Sequence, residues 1–376
     1  MFFTTPAVMA LYKPARTPAP YLNRKLEGTT GKKDQLRILA CVHGTRSIPA
    51  LVNFVEACRG VSKKRSLKLF VMHLIELSDR TSSIMTLSRA QKDDGRKHPE
   101  DNLLVAFKAY GQISKVPVRL LTAVSELSNM HYDVCNTAAE RRATIILLPF
   151  NFYQKEDGTM EHVNSGLRTF NHRVMNHAPC SIGILVDRGV WGSETLSEST
   201  TSRKVAVFFF GGPDDREALT FGRRLVEHPN ISLQVFRFMP NQGQLQNHVV
   251  SIVDTDDIKL DEESLSSVKV FMGNKVKDSA QDMSYKEKHY GSPTEAVLAI
   301  AKSHDFSLIL IGKGHTTLVV PASMERQLES SELGVVGEAL ANASIEMKSS
   351  ILVIQQHKTI NDSDTSPKDI SNKNAM

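Results

Sequence analysis

Cysteine is scarce in this chain of 376 residues: four are present, Cys41, Cys58, Cys135 and Cys180, with no CxxC pair and no spaced histidine partner. That spacing excludes a disulfide framework and a thiolate zinc site, and it fits a reducing compartment. No apolar run approaches the roughly 18 residues that a membrane-crossing helix needs, so no complete transmembrane helix is expected. Charge of one sign is lacking too. The 46 Lys and Arg residues nearly balance 41 Asp and Glu for a net charge of +5, too even for a nucleic-acid binder. Catalytic signatures are missing as well. There is no GxSxG or HExxH, and neither Cys41 nor Cys135 has a base beside it, so the chain is not expected to be an enzyme.

What is present is enough apolar sequence, 41% of residues, to bury a large core, and a length that favours two domains. From Leu36 onward, short apolar runs alternate with longer amphipathic ones. This is the pattern of an α/β fold whose parallel sheets are flanked by helices. In the first half the expected strands are Leu36–Val42, Leu67–Leu74, Val116–Val124, Thr144–Phe150 and Ser181–Asp187. The expected helices are Ser47–Arg59, Asp101–Gly111, Met130–Arg142 capped by Asn129, and Gly166–His177. A polar Ser/Thr-rich stretch follows Trp191, and then the plan restarts. The second half is read as strand Lys204–Phe210, helix Asp214–His228, strand Ser232–Met239, an acidic loop, strand Ser267–Met272, helix Pro293–His304, strand Ser307–Ile311, helix Gly334–Ser344 and strand Ser350–Gln355. The two halves space their first and fourth strands almost equally, which points to a duplication. The expected organisation is therefore a basic linker over 1–34, a first flavodoxin-like domain over 35–190, a linker over 191–202, a second domain over 203–357, and a disordered polar tail over 358–376.

In doubly wound sheets, ligands sit at the carboxyl ends of strands, which directs attention to four loops. After the first strand come His43, Gly44, Thr45, Arg46 and Ser47. There a glycine allows a tight turn, Arg46 can meet a phosphate and Ser47 can cap the next helix. The matching loop of the second half holds Gly211, Gly212, Pro213, Asp214 and Asp215. Its acids suit a helix start and repel phosphate, so helix capping is preferred over cation sensing. After the fourth strands stand Pro149 and Phe150 in one half and Gly312, Lys313, Gly314 and His315 in the other. Pro149 removes an amide, whereas Gly312 and Gly314 keep a phosphate cradle open. Thirteen histidines titrate near neutrality, but as surface or helix-end residues they define no site. The candidate ligand-binding set is thus His43, Arg46, Gly211, Gly212, Asp214, Asp215, Gly312 and Gly314, with no catalytic residue and no metal.

Several long strings carry a family resemblance. Leu36–Gly60 (LRILACVHGTRSIPALVNFVEACRG), Val71–Leu77 (VMHLIEL), Ile145–Phe150 (IILLPF), Asp157–Glu161 (DGTME), Asn176–Gly189 (NHAPCSIGILVDRG), Phe208–Leu219 (FFFGGPDDREAL), Glu332–Leu340 (ELGVVGEAL) and Ser350–Gln356 (SILVIQQ) are similar to the cytosolic tail of plant cation/H⁺ antiporters. These are the exchangers of the monovalent cation:proton antiporter-2 type. Thr4–Arg16 resembles the end of their last membrane helix. The resemblance implies two universal-stress-protein-like lobes that regulate a membrane bundle exchanging K⁺ or Na⁺ for H⁺, and so serve potassium and pH homeostasis. The implied location is the cytosolic face of an endomembrane or the plasma membrane. The implied partner is the membrane transport domain. A second copy of the chain is a further candidate partner, and so is the anionic membrane surface, which the basic residues Lys13, Arg16, Arg24, Lys25, Lys32 and Lys33 would favour. The acidic residues of a transport bundle are missing, so no transport residue carries over. The nucleotide signature of universal stress proteins is not intact in either half, so no cofactor is expected. The alternative is a freestanding universal-stress-type protein that binds nucleotide near Gly312–His315. A purely structural dimerisation module is the third reading.

Overall fold

The computed structural model describes residues 35–59, 67–77, 99–150, 152–154, 160–162, 165–193, 196, 202–241, 255–273, 282–315, 328–343 and 347–357. The expected basic N-terminal linker and the polar tail lie outside these residues, as does most of the stretch over 191–202. In chain order the elements are β1 (Leu36–Val42), a 3-10 turn (Thr45–Ser47), α1 (Ile48–Arg59), β2 (Leu67–Glu76), α2 (Pro99–Ser114), β3 (Val118–Ser125), α3 (Met130–Arg141) and β4 (Ile145–Pro149). A small hairpin, β5 (Phe152–Gln154) and β6 (Met160–His162), precedes α4 (Ser165–His177) and β7 (Ser181–Val186). The second half contains β8 (Arg203–Phe209), α5 (Pro213–Leu225), β9 (Ile231–Pro240), α6 (Thr255–Gly273) and β10 (Asp282–Tyr290). It ends with α7 (Pro293–Ser303), β11 (Leu308–Gly312), α8 (Gly334–Ala341) and β12 (Ser350–Gln355).

Ten strands form one sheet in the order β10-β9-β8-β11-β12-β7-β4-β1-β2-β3. Each half has the internal order 3-2-1-4-5 and is parallel throughout. The halves meet where β7 and β12 run antiparallel, with Val186 opposite Ile351 and Ile182 opposite Gln355. Strand alternation builds a core on each face, because successive side chains point to opposite sides of the pleat. Leu36, Ile38, Ala40 and Val42 join one core with residues of α1, α2, α5 and α6. Leu39 and Cys41 join the other with residues of α3, α4, α7 and α8. The first and second helices of both halves thus cover one face and the later helices the opposite one. All four cysteines are buried, and none forms a disulfide.

Two expectations fail in the second half. The acidic loop and the strand expected at Ser267–Met272 are one helix, α6, and the third strand is β10 instead. The run Ser266–Met272 alternates like a strand, but its buried side chains Asp261, Leu265 and Val268 recur at helical spacing. Asp256 and Asp257 in the first turn complement the helix dipole. β10 escaped notice because Lys286, Glu287 and Lys288 give it a charged sequence, as suits an edge strand that must not pair further. Asn129 occupies the cap position of α3, yet its side chain makes no capping bond.

The halves are fastened on both faces. On one, the Phe54 ring of α1 stacks on Phe221 of α5 at 5.0 Å, and Arg224 Nε donates to the Cys58 carbonyl at 3.0 Å. On the other, the Arg188 guanidinium donates to the carbonyls of Leu340 at 3.0 Å, Ala341 at 2.6 Å and Ala343 at 3.2 Å, and also to that of Met347. These carbonyls lie at and after the end of α8, where a cation is favoured by the helix dipole. The chain between the halves is tied down where it is described. Trp191 and Leu196 are buried, the Trp191 carbonyl accepts from Asn53 at 2.7 Å and from Arg203 at 2.6 Å, and Asn53 Oδ1 accepts from the Leu196 amide at 3.2 Å. Replacing Arg188 with Met leaves the Ala341, Ala343 and Met347 carbonyls without this donor and is expected to cost about 3 kcal/mol, read as a lower urea midpoint. An unchanged midpoint would show that the contact adds nothing to folding.

Candidate functional site

The loops at the carboxyl end of the second half converge on two carboxylates. β8 delivers Phe210, Gly211 and Gly212, and the chain then enters α5 through Pro213. Gly211 and Gly212 hold φ values of 121° and 105°, a region costly for any residue with a Cβ. This turn aims Asp214 and Asp215, 5% and 0% exposed, back across the strand ends. Asp215 Oδ2 accepts from the amides of Phe210 at 2.8 Å and Gly211 at 2.9 Å, and its Oδ1 accepts from Gly312 at 2.8 Å. Asp214 Oδ2 accepts from the Gly314 amide at 2.9 Å and its Oδ1 from that of Gln356 at 2.8 Å. Loops after β8, β11 and β12 are therefore held by two adjacent acids at the N-terminus of α5, whose dipole also favours negative charge.

Further groups surround this pair. Asp261 of α6 accepts from the Gly212 amide at 3.0 Å and from Arg216 at 2.6 Å, while Asp257 takes the other arm of Arg216 at 2.9 Å. Burial raises the Asp261 pKa above its ordinary value, and the charge of Asp215 adds to this against the pull of Arg216. The His315 ring nitrogen Nδ1 sits 3.0 Å from Asp215 Oδ2. Glu217, fully buried, accepts from the Ser181 hydroxyl of the first half at 2.5 Å.

Chemically, the amides that would cradle a phosphate are already filled by the chain's own carboxylates. Gly312 shows how tight the fit is. A Cβ there would lie 2.5 Å from Asp215 Oδ1 and 2.7 Å from the Asp215 nitrogen. Asp214 and Asp215 act as cross-links between loops.

Gly211, Gly212, Asp214, Asp215, Gly312 and Gly314 are thus brought together, whereas His43 and Arg46 lie at the opposite end of the sheet. The antiparallel β7–β12 junction turns the two sets of carboxyl ends away from each other. Gly44 has φ −168°, an extended conformation that any residue adopts, so the expected glycine-dependent turn is not formed. The chain passes through the 3-10 turn into α1 with Arg46 exposed. The His43 ring meets Phe170 edge-on at 5.4 Å, and burial together with His73 pushes its pKa down to about 4. Sequence reasoning missed Arg216, Glu217, Asp257 and Asp261, and it named His315 only as part of the loop after the fourth strand. The one signal was the pairing of Asp257 with Asp261 at helical spacing, hidden by reading that stretch as a loop. Among the described residues no cluster of three or more His, Cys, Asp or Glu is arranged to hold a metal, and no helix is long and apolar enough to cross a membrane.

Two halves, each a parallel sheet of order 3-2-1-4-5 covered by helices on both faces, define a tandem doubly wound α/β protein. Residues 69–190 match the model of a plant cation/H(+) antiporter domain, and residues 202–355 match that of the plant cation/H(+) antiporter C-terminal domain. The chain belongs to the plant cation/H(+) antiporter family. It is 38% identical to cation/H(+) antiporter 19 of Arabidopsis thaliana over 362 residues, which are 94% of this chain and 44% of that protein. Against antiporter 18 of the same plant it is 39% identical over 375 residues, 95% of this chain and 45% of the relative. The chain therefore spans less than half the length of these relatives. Among solved structures, a universal stress protein from Archaeoglobus fulgidus aligns with a TM-score of 0.48 and 11% identity, covering 84% of this chain and 97% of that one.

Two outcomes test the site. Gly312→Ala drives a methyl into Asp215 and is expected to lower stability by about 3 kcal/mol in chemical denaturation, whereas the same change at exposed Gly314 is milder. The second concerns pH. Unfolded His43 takes up a proton near 6.5 and the folded residue only near 4. The unfolded state therefore binds more protons in that window, and stability falls as pH drops from 6.5 towards 4. His43→Gln should flatten this part of the urea-midpoint profile, and a profile that keeps its slope would locate the titration elsewhere.

Proposed function

We propose that this chain is the cytosolic regulatory region of a monovalent cation/H⁺ antiporter, acting on K⁺ transport and pH homeostasis through its parent transporter and not as an enzyme. The observation that carries the reading is coverage. About 95% of this chain aligns to less than half of antiporters 18 and 19, and no helix among the described residues can cross a membrane. In this reading, the exchange chemistry belongs to a membrane bundle outside these residues, and that bundle is the principal partner. The two units over 35–190 and 203–357 sit at the cytosolic face of an endomembrane or the plasma membrane. The basic residues before position 34 lie against anionic lipid, and a second copy of the chain is a further partner. The rival reading, a freestanding nucleotide-binding protein using Gly312–His315, is disfavoured by the carboxylates that already occupy the Gly312 and Gly314 amides.

The test uses yeast lacking K⁺ uptake. The chain alone should leave growth at low K⁺ unrestored. A related membrane bundle carrying this chain should change growth relative to the bundle without it, and should do so differently with the Gly312→Ala chain. Rescue by the free chain, or a bundle indifferent to the chain, would overturn the proposal.

A further inference from the structure

The two halves place the same loop in opposite states. Phe210 and Gly211 follow β8 as His43 and Gly44 follow β1, and the register then sets Ser47 and Ile48 where the second half has Asp214 and Asp215. The first half therefore lacks both built-in anions. The amides that Asp215 fills in the second half have counterparts in the His43–Arg46 loop that make no hydrogen bond among the described residues. Arg46 stands exposed on this loop, and a Cβ placed on Gly44 would meet nothing within 4 Å. The loop borders the point where strand order reverses between β1 and β4, the usual ligand position in such sheets.

Two buried polar atoms at that place have no partner. The first is His43 Nε2. The second is Oδ1 of Asn171, a residue of α4 that is 1% exposed and whose Nδ2 donates to the Pro149 carbonyl at the end of β4 at 3.4 Å. β4 neighbours β1, and Phe170 beside Asn171 touches the His43 ring, so both orphaned atoms lie near the carboxyl ends of these two strands. Burial without a hydrogen-bond partner is unfavourable for each such group, a cost that a bound ligand removes.

We infer that the switch point of the first half, built from the His43–Arg46 loop and Asn171, binds a small anion bearing a phosphoryl group. Free loop amides and the Arg46 guanidinium take the anionic oxygens. The His43 Nε2–H donates from one side, and Asn171 Oδ1 accepts a hydroxyl of the ligand. The second half is the closed counterpart, with its own carboxylates in the equivalent place. Pro149, which lacks the amide that Gly312 supplies, makes the first cradle shallower and suits a single phosphoryl group more than a polyphosphate.

The experiment follows the histidine ring signals of the full chain by NMR during titration with inorganic phosphate and, separately, with AMP. The expected result is a saturable shift of His43 in the millimolar range or below, with its titration midpoint moving up from about 4 as the anion stabilises the protonated ring. His315, already paired with Asp215, stays still. Arg46→Gln should weaken binding at least tenfold. Ser47→Asp, which sets a carboxylate at the position of Asp214 beside the loop, should abolish it by charge repulsion. Both positions lie outside the core, so the variants remain folded, as unchanged amide spectra would verify. A response to AMP alone assigns the site to nucleoside monophosphates, and equal responses assign it to phosphate itself. No shift with either probe, a shift shared equally by His315, or a shift indifferent to both variants overturns the inference.

Discussion

The antiparallel contact of β7 with β12 is the constraint on which the rest of the molecule depends. Parallel pairing would have stacked two copies of one plan side by side with their ligand ends together. The observed pairing instead turns one half over in the plane of the sheet. Ten strands become continuous, the two cores run across both halves, and the two sets of carboxyl-end loops face opposite directions. The side chains that fasten the halves follow from it. Arg188 leaves the end of β7 beside the start of β12 and reaches the carbonyls after α8, while Ser181 at the start of β7 meets Glu217 beneath the end of β12.

This geometry gives the two switch points different environments and different chemistry. In the second half, Asp214 and Asp215 neutralise an amide cradle and bind three loops to one helix. Arg216 then draws α6 onto the same cluster through Asp257 and Asp261. The net effect of these interactions lies less in any single hydrogen bond than in the penalty for leaving its partners buried and unpaired. The first half has the same backbone plan and no such acids. The two halves share one scaffold, and in one of them the chain's own carboxylates fill the loop amides.

That division also bears on how such a region would act on a transporter. A rigid sheet crossing both halves transmits a change at one end only through elements packed against it. Across the halves, α1 touches α5 on one face, and on the other α4 meets Ser330 through Arg168 and Gln355 through the Met175 carbonyl. A ligand that orders the His43–Arg46 loop bears directly on α1, which stacks through Phe54 on Phe221 of α5, the helix that carries Asp214 and Asp215.

Apolar periodicity by itself determined most of the elements: nine of the ten sheet strands coincide with the short apolar runs read from the chain, since a strand buried on both faces is apolar throughout. It also determined the restart after Trp191. It could not recover β10, whose charges guard an edge that only exists once the sheet is assembled, nor α6, whose helical face is defined by what it packs against. The candidate loops were legible because glycine, proline and acid clusters are local signals. The partners of those acids were not, for Gly312, Gly314, Gln356 and Asp261 are far away in sequence and meet Asp214, Asp215 and Gly212 only through strand order. Strand order and the direction of the β7–β12 contact are long-range choices, settled by which buried faces fit together. They decided which loops share a site, which face apart, and which amides are left free.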